Sequence, residues 1–156
     1  MNPRILISAA LALAVSVALW NWIGDDTPQP VVYQNHQYGF SLSLPETFVN
    51  NTDVREEIGV IYFVDRAIQE TNPGPPYGVV GRIEVFPKAE TTMADLKERE
   101  GVYNLAYLGE NQSHYFGWAH ATDVQVPFEA PEDVKERFYS MEEAFGNSMG
   151  TFQITE

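Results

Sequence analysis

Cysteine is absent from this chain, which excludes disulfide bridges, thiol nucleophiles and thiolate metal sites. Basic residues are scarce as well: 9 Lys and Arg stand against 22 Asp and Glu, a formal net charge of −13 over 156 residues. A surface of that sign repels phosphate backbones, so no nucleic-acid partner is expected, because such binding draws its affinity from Lys and Arg. Internal repeats and low-complexity segments are also missing. So are the HExxH, EF-hand and GxSxG spacings, and Gly78-Val79-Val80-Gly81 lacks the lysine and spacing of a phosphate-cradling loop. What the chain does have is 44% hydrophobic and 13% aromatic residues, enough to build the core of one domain.

Ile5 to Ile23 is a largely apolar run of nineteen positions with no charge. At a helical rise of about 1.5 Å per residue it reaches the hydrocarbon thickness of a bilayer. Arg4 precedes it and Asp25 and Asp26 follow, so the positive-inside rule keeps the N-terminus in the cytoplasm and sends the rest across. Trp20 and Trp22 stand at the outer end, where indoles favour the headgroup boundary. Residues 1–23 therefore read as a signal anchor. The alternative is a cleaved signal peptide, with Ser16-Val17-Ala18 offering small residues before Leu19. In either case the domain is expected outside the cytoplasm, as a single-pass membrane protein or as a secreted one. Residues 24–30, with one glycine and two prolines, read as a short tether to a domain over residues 31–156. Removal of Arg4, Asp25 and Asp26 leaves 8 basic and 20 acidic residues, a net of −12, so the negative charge belongs to the domain.

Within the domain, Val31 to Tyr33 begins a strand and Asn35-His36-Gln37 is a turn. Tyr38 to Leu44 alternates at period two, placing Phe40, Leu42 and Leu44 on one side and Ser41 and Ser43 on the other, until Pro45 ends the run. Residues 46–57 read as polar and irregular. Ile58 to Val64 is a continuous apolar run of the kind covered on both faces, and Val79 to Phe86 is a further strand. Thr92 and Asp95 have capping-box spacing for a helix to Glu100 that stops at Gly101. Val102 to Leu108 and Ser113 to Val126 read as strands joined by a hairpin at Gly109 to Gln112. A last helix begins at Pro131, carries Val134, Phe138, Met141 and Phe145 on one face, and ends at Gly146 and Asn147 before a final strand over Thr151 to Thr155. The expected fold class is α+β, a mostly antiparallel β-sheet flanked by helices and preceded by one N-terminal transmembrane helix.

The opening block Tyr33…Tyr38-Gly39-Phe40-Ser41-Leu42-Ser43-Leu44-Pro45 resembles the start of small secreted or membrane-anchored bacterial proteins. These share the fold of PsbP, the photosystem extrinsic protein, and of the Ran-binding Mog proteins. The segments Asn72-Pro73-Gly74 and His120 to Gln125, and the last helix running into Phe152, extend the resemblance over roughly residues 31–156. It implies an antiparallel sheet sandwiched by helices (a PsbP-like α/β/α arrangement). It implies no activity, and neither the photosystem nor the Ran partner carries over.

The chemistry-bearing residues form no recognisable constellation. His114 and His120 would share a strand face but stand about 20 Å apart at 3.3 Å per residue, too far for one metal ion; His36, in a separate turn, is free to approach either, but no metal-binding spacing accompanies it. No metal site and no cofactor is expected. The adjacent acids Glu56-Glu57, Glu132-Asp133 and Glu142-Glu143 point apart on a strand or a helix and read as a solvated face rather than as acid/base pairs. Ser41, Ser43, Ser113, Ser140 and Ser148 lack a local nucleophile signature, so no catalytic residue is named. Two triplets, Asn50-Asn51-Thr52 and Asn111-Gln112-Ser113, match glycosylation sequons, but the bacterial resemblance argues against their use. Ring area concentrates in Tyr103, Tyr107, Tyr115, Phe116 and Trp118, either as a binding surface or as packed core. The stiff loop carrying Pro75, Pro76 and Tyr77 is either a second contact point or a plain connector. The expectation is a non-enzymatic, membrane-anchored module for a protein partner, with Tyr77, Pro75, Pro76, Tyr115 and Trp118 as candidate contacts. A small-ligand or ion receptor with a pocket between sheet and helix is the alternative, and a hydrolase with a spatially assembled site the third reading.

Overall fold

Period-two alternation decides the first hairpin. In a computed structural model describing residues 29–73 and 77–155, Phe40, Leu42 and Leu44 are buried while Ser41 and Ser43 are half-exposed. They form β2 (Phe40–Leu44), antiparallel to β1 (Val31–Asn35) across a turn that closes with Gly39 at φ 71°. A glycine is required there, since a Cβ would also meet the Thr155 carbonyl oxygen at 2.7 Å. Residues 5–23, expected to cross a membrane, lie outside the described residues, as do Pro75 and Pro76; no described helix is long and apolar enough to span a bilayer.

Two antiparallel sheets and four helices make up the described chain, an α+β fold as the patterning predicts. The helices are α1 (Glu46–Asn51), α2 (Arg66–Thr71), α3 (Met93–Tyr103) and α4 (Glu132–Ser148). The remaining strands are β3 (Thr52–Glu57), β4 (Val60–Asp65), β5 (Val79–Pro87), β6 (Ala106–Glu110), β7 (His114–Ala119) and β8 (Gln153–Ile154). The small sheet runs β1-β2-β8 and the large one β3-β4-β5-β7-β6. Because neighbouring strand residues point to opposite faces, Val85 joins the main core and Phe86 a second cluster with Leu96, Leu105 and Ala119 under α3. The two longer helices thus pack on opposite faces of the large sheet.

The main core is aromatic. Phe63 lies 4.9 Å from Phe145, Phe48 stacks on Phe145 at 5.9 Å, and Phe40 stacks on Phe152 at 5.2 Å. Gly81 of β5 admits the Phe145 ring, since a Cβ there would overlap it. Two polar ties close the periphery. Tyr33 Oη donates to Glu56 Oε1 at 2.8 Å and Asn35 Nδ2 donates to the same carboxylate at 3.0 Å, joining β1 to β3. Fully buried Asp65 caps α2 by accepting from the Ile68 N–H at 3.0 Å, and its two oxygens accept from Arg137 Nη2 at 2.9 and 2.8 Å. Its own N–H donates to the Gly78 carbonyl at 2.7 Å, so one residue ties β4, α2, the start of β5 and α4 together.

Several boundaries differ from the sequence expectation. Residues 46–57 are not irregular: one helical turn buries Phe48, and β3 follows as an edge strand whose charges hide its periodicity. β4 starts only at Val60, because Ile58 and Gly59 form the hairpin tip with Ile58 fully exposed, and Val60 and Tyr62 stay half-exposed on one face. The Thr92–Asp95 capping box forms, but α3 runs past Gly101 to Tyr103, and Asn104 takes the left-handed stop at φ 50°. The β6–β7 turn is Asn111-Gln112-Ser113, where Asn111 Oδ1 accepts from the Ser113 and His114 N–H groups at 2.9 and 2.8 Å. β7 ends at Ala119 instead of Val126, and α4 runs through Gly146 and Asn147 into a short 3₁₀ turn over Met149–Thr151.

The Asp65 tie yields a stability prediction. Arg137→Ala leaves a buried carboxylate without its cation, and urea unfolding is expected to show a loss of about 3 kcal/mol, the low end for breaking a buried pair. The low end applies because the Arg137 side chain is one-third exposed. A midpoint equal to wild type would show that the pair holds nothing together.

Candidate functional site

The aromatic residues picked out in the sequence separate once strands β6 and β7 form. Phe116 is fully buried, and half-buried Trp118 packs 6.0 Å from Phe145 and 4.8 Å from the His120 ring. Tyr115 belongs to the opposite face, beside the cluster of Phe86 and Leu96, with Lys88 Nζ 4.9 Å from its ring centroid. Tyr115 and Trp118 therefore do not share a surface. Tyr77 packs half-buried against the main core, and its carbonyl accepts a hydrogen bond from Gln69 Nε2. Of the named candidates, Tyr115, Trp118 and Tyr77 are each half-buried, with their side chains packed against one of the two core clusters.

Of the aromatic residues picked out in the sequence, Tyr103 and Tyr107 are the exposed ones, at 56% and 40%, next to Val102 at 66%; elsewhere Phe128 and Tyr139 are also exposed. They stand where α3 hands over to β6, held by Leu105, which is buried and fills the space above Gly117. Among the described residues β6 pairs with β7 alone, so its outer row of backbone N–H and C=O groups is open. The other edge of the same sheet, β3, carries Asp53, Arg55, Glu56 and Glu57, charges that discourage strand addition. β6 carries a single charge, Glu110, which pairs with Lys88 at 3.1 Å. The sequence hid this surface because Val102 to Leu108 reads as one strand, whereas the helix boundary at Asn104 lifts Val102 and Tyr103 onto α3.

Beside this patch, Glu90, Thr91, Asp95, Glu98, Arg99, Val102 and Tyr103 line a cleft of about 510 Å³. Asp95 is occupied by its cap: the Thr92 hydroxyl and N–H both donate to it, holding its carboxyl below the ordinary carboxylate range. Arg99 lies over the Phe86 ring at 5.2 Å. A second concavity, about 650 Å³, opens between the β1–β2 and β6–β7 turns. His36 and His114 both line it, so of the two histidines open to His36 it is His114 that the fold brings near, and Asn111 Nδ2 locks the two turns by donating to the Tyr38 carbonyl at 3.0 Å.

His120 lies beyond the end of β7, not on its face. Its ring stands against Trp118, and its Nδ1 is buried with no hydrogen-bond partner. Among the described residues no three His, Asp or Glu side chains gather to hold a metal, and no serine hydroxyl is bonded to an imidazole; Ser148 Oγ donates to the Ala144 carbonyl instead, at 2.7 Å. Glu142 on α4 has its carboxyl pushed up by burial, with the nearby His120 pulling the other way.

No family model, no curated protein and no solved structure matches this chain.

The Glu142 shift fixes a pH dependence. A carboxyl raised in the fold contributes stability that is present below its unfolded pKa and is lost as pH rises through the folded value. Glu142→Gln is therefore expected to raise the melting temperature at about pH 7.5 and to leave it unchanged near about pH 4, read by thermal denaturation across that range. An equal gain at both ends would assign the effect to something other than ionisation.

Proposed function

We propose that the chain is a non-enzymatic interaction module, anchored in a membrane through residues 5–23, displayed outside the cytoplasm, and docking a protein partner on the face formed by α3 and β6. The observation that carries this reading is the exposure of Val102, Tyr103 and Tyr107 beside a strand paired on one side only. Tyrosines dominate the energetics of protein contacts because they offer large amphipathic area at small entropic cost. The uncharged run Ile5 to Ile23, with Arg4 before it and Asp25-Asp26 after it, supports the anchor and its orientation. The PsbP-like relationship belongs to the same proposal: its support is the opening block, which folds as the β1–β2 hairpin with Phe40, Leu42 and Leu44 inward.

Crosslinked co-purification of the full chain from intact membranes tests the module. Replacing Val102, Tyr103 and Tyr107 by alanine is expected to cut recovery of the partner by about tenfold while leaving the melting temperature in place. Unchanged recovery of every partner would remove the α3–β6 face from the reading. A C-terminal epitope tag digested by protease added outside intact spheroplasts is the expected result for the orientation; a tag cleaved only after lysis would reverse it.

A second reading, a receptor for a small polar ligand, is favoured by the concavity shared by His36 and His114 rather than by any pocket between sheet and helix. Its volume lies within the range of ligand sites. Under that reading a compound screen by thermal shift returns one chemical class that stabilises the wild type and loses its effect in His36→Ala and His114→Ala; a screen with no such class would dismiss it.

A further inference from the structure

We propose, resting on the interaction-module reading, that the partner reaches β6 as a short extended segment carrying lysine or arginine.

The open edge supplies the backbone half of this recognition. A strand laid along β6 satisfies the N–H and C=O groups that β7 leaves unpaired, and its alternate side chains fall on the two faces of the sheet. On the α3 side those side chains meet Tyr107 and Tyr103 and then the cleft lined by Glu90 and Glu98. Glu90 and Glu98 form no ion pair among the described residues, whereas Asp95 is taken up by Thr92 and Glu110 by Lys88. The segment is short because the pairing of β6 with β7 shifts between Tyr107 and Gly109, so a regular ladder extends only from the Ala106 end, next to Val102 and Tyr103.

Charge selects the occupant. A second copy of this chain would bring another acidic domain to the same edge, and like-signed bodies repel on approach. With 20 acidic against 8 basic residues outside residues 1–30, the partner that gains from the long-range field is cationic. The apolar residues then define what accompanies the charge: aliphatic or aromatic side chains for Val102, Tyr103 and Tyr107, and a Lys or Arg for Glu90 and Glu98.

The test uses the full chain in nanodiscs of zwitterionic lipid and two fluorescent ten-residue peptides, one alternating valine with lysine and one alternating valine with glutamate. The lysine peptide is expected to bind about tenfold more tightly by anisotropy and to weaken as salt rises from about 50 to about 300 mM. Hydrogen–deuterium exchange is expected to slow over residues 102–110. Glu90→Lys with Glu98→Lys, both exposed, is expected to abolish the preference without lowering the melting temperature; Tyr103→Lys with Tyr107→Lys removes the rings and is the second variant. Equal binding of the two peptides, or protection elsewhere on the domain, would overturn the inference. Protection of 102–110 without peptide, in a species of twice the mass, would give the edge to a second copy and overturn it as well. Loss of partner recovery in the alanine variant, together with no lysine-peptide preference, would leave the interaction module standing and remove only the cationic segment.

Discussion

Phe145 seated on Gly81 sets the distance between α4 and the large sheet, and most of the packing follows from that approach. Only a residue without a Cβ lets a helix-borne ring reach the backbone of a central strand. Once there, the ring touches Phe63 of β4, Phe48 of α1 and Trp118 of β7, so a single side chain joins four elements to α4's own position. Trp118 in turn pairs in register with Ala106, which means the placement of the exposed edge strand depends on a contact in the centre of the core. The surface proposed for binding is thus built on rigid elements, with its exposed rings at the end of that chain of contacts.

Polar groups in this domain are used sparingly inside and lavishly outside. Asp65 is one of few buried polar side chains, and its donors fix two elements: the Ile68 N–H for α2, on Oδ1, and Arg137 for α4, on both oxygens. The carboxylate of Glu56 performs a similar task at the rim, receiving Tyr33 and Asn35. Burial and that neighbouring charge push the Tyr33 phenol up to about 12, so it remains a neutral donor over the whole range in which the fold is expected to persist. Most of the other acids lie on the surface, with Glu84 and Glu142 half-buried, and the charges differ in number between the two edges of the large sheet. β3 is crowded with charge and β6 nearly free of it, which separates an edge built to stay solitary from one available for pairing.

Where side chains report their own surroundings, the sequence was legible. Phe40, Leu42 and Leu44 alternate with serines because a hairpin on a core has one dry side, and Phe138, Met141 and Phe145 recur at helical spacing because α4 has one dry stripe. The Thr92 capping box was legible for the same reason, since its partners are three residues apart. Illegible were features whose cause lies elsewhere in the chain. β3 shows no alternation because as an edge strand it buries only Thr52 and is held by its backbone pairing to β4. α4 passes Gly146 because Trp118 packs there at 3.5 Å from where a Cβ would stand, and contact with a neighbour outweighs weak local propensity. Tyr115 and Trp118 stand near each other in sequence, yet three strand positions put them on opposite faces of the sheet.

By itself, then, the amino-acid order determined the α+β class, the acidic character of the chain and the inward-facing residues of β2 and α4, because each is a local or summed property of side chains meeting water or avoiding it. The tertiary structure alone decided which aromatic residues remain exposed, where α3 yields to β6, that His36 and His114 share a concavity, and that Asp65 finds Arg137 seventy-two positions away. Those outcomes depend on contacts between segments distant in the chain, whose geometry is set by the packing of whole elements and leaves no periodic trace in either segment taken alone.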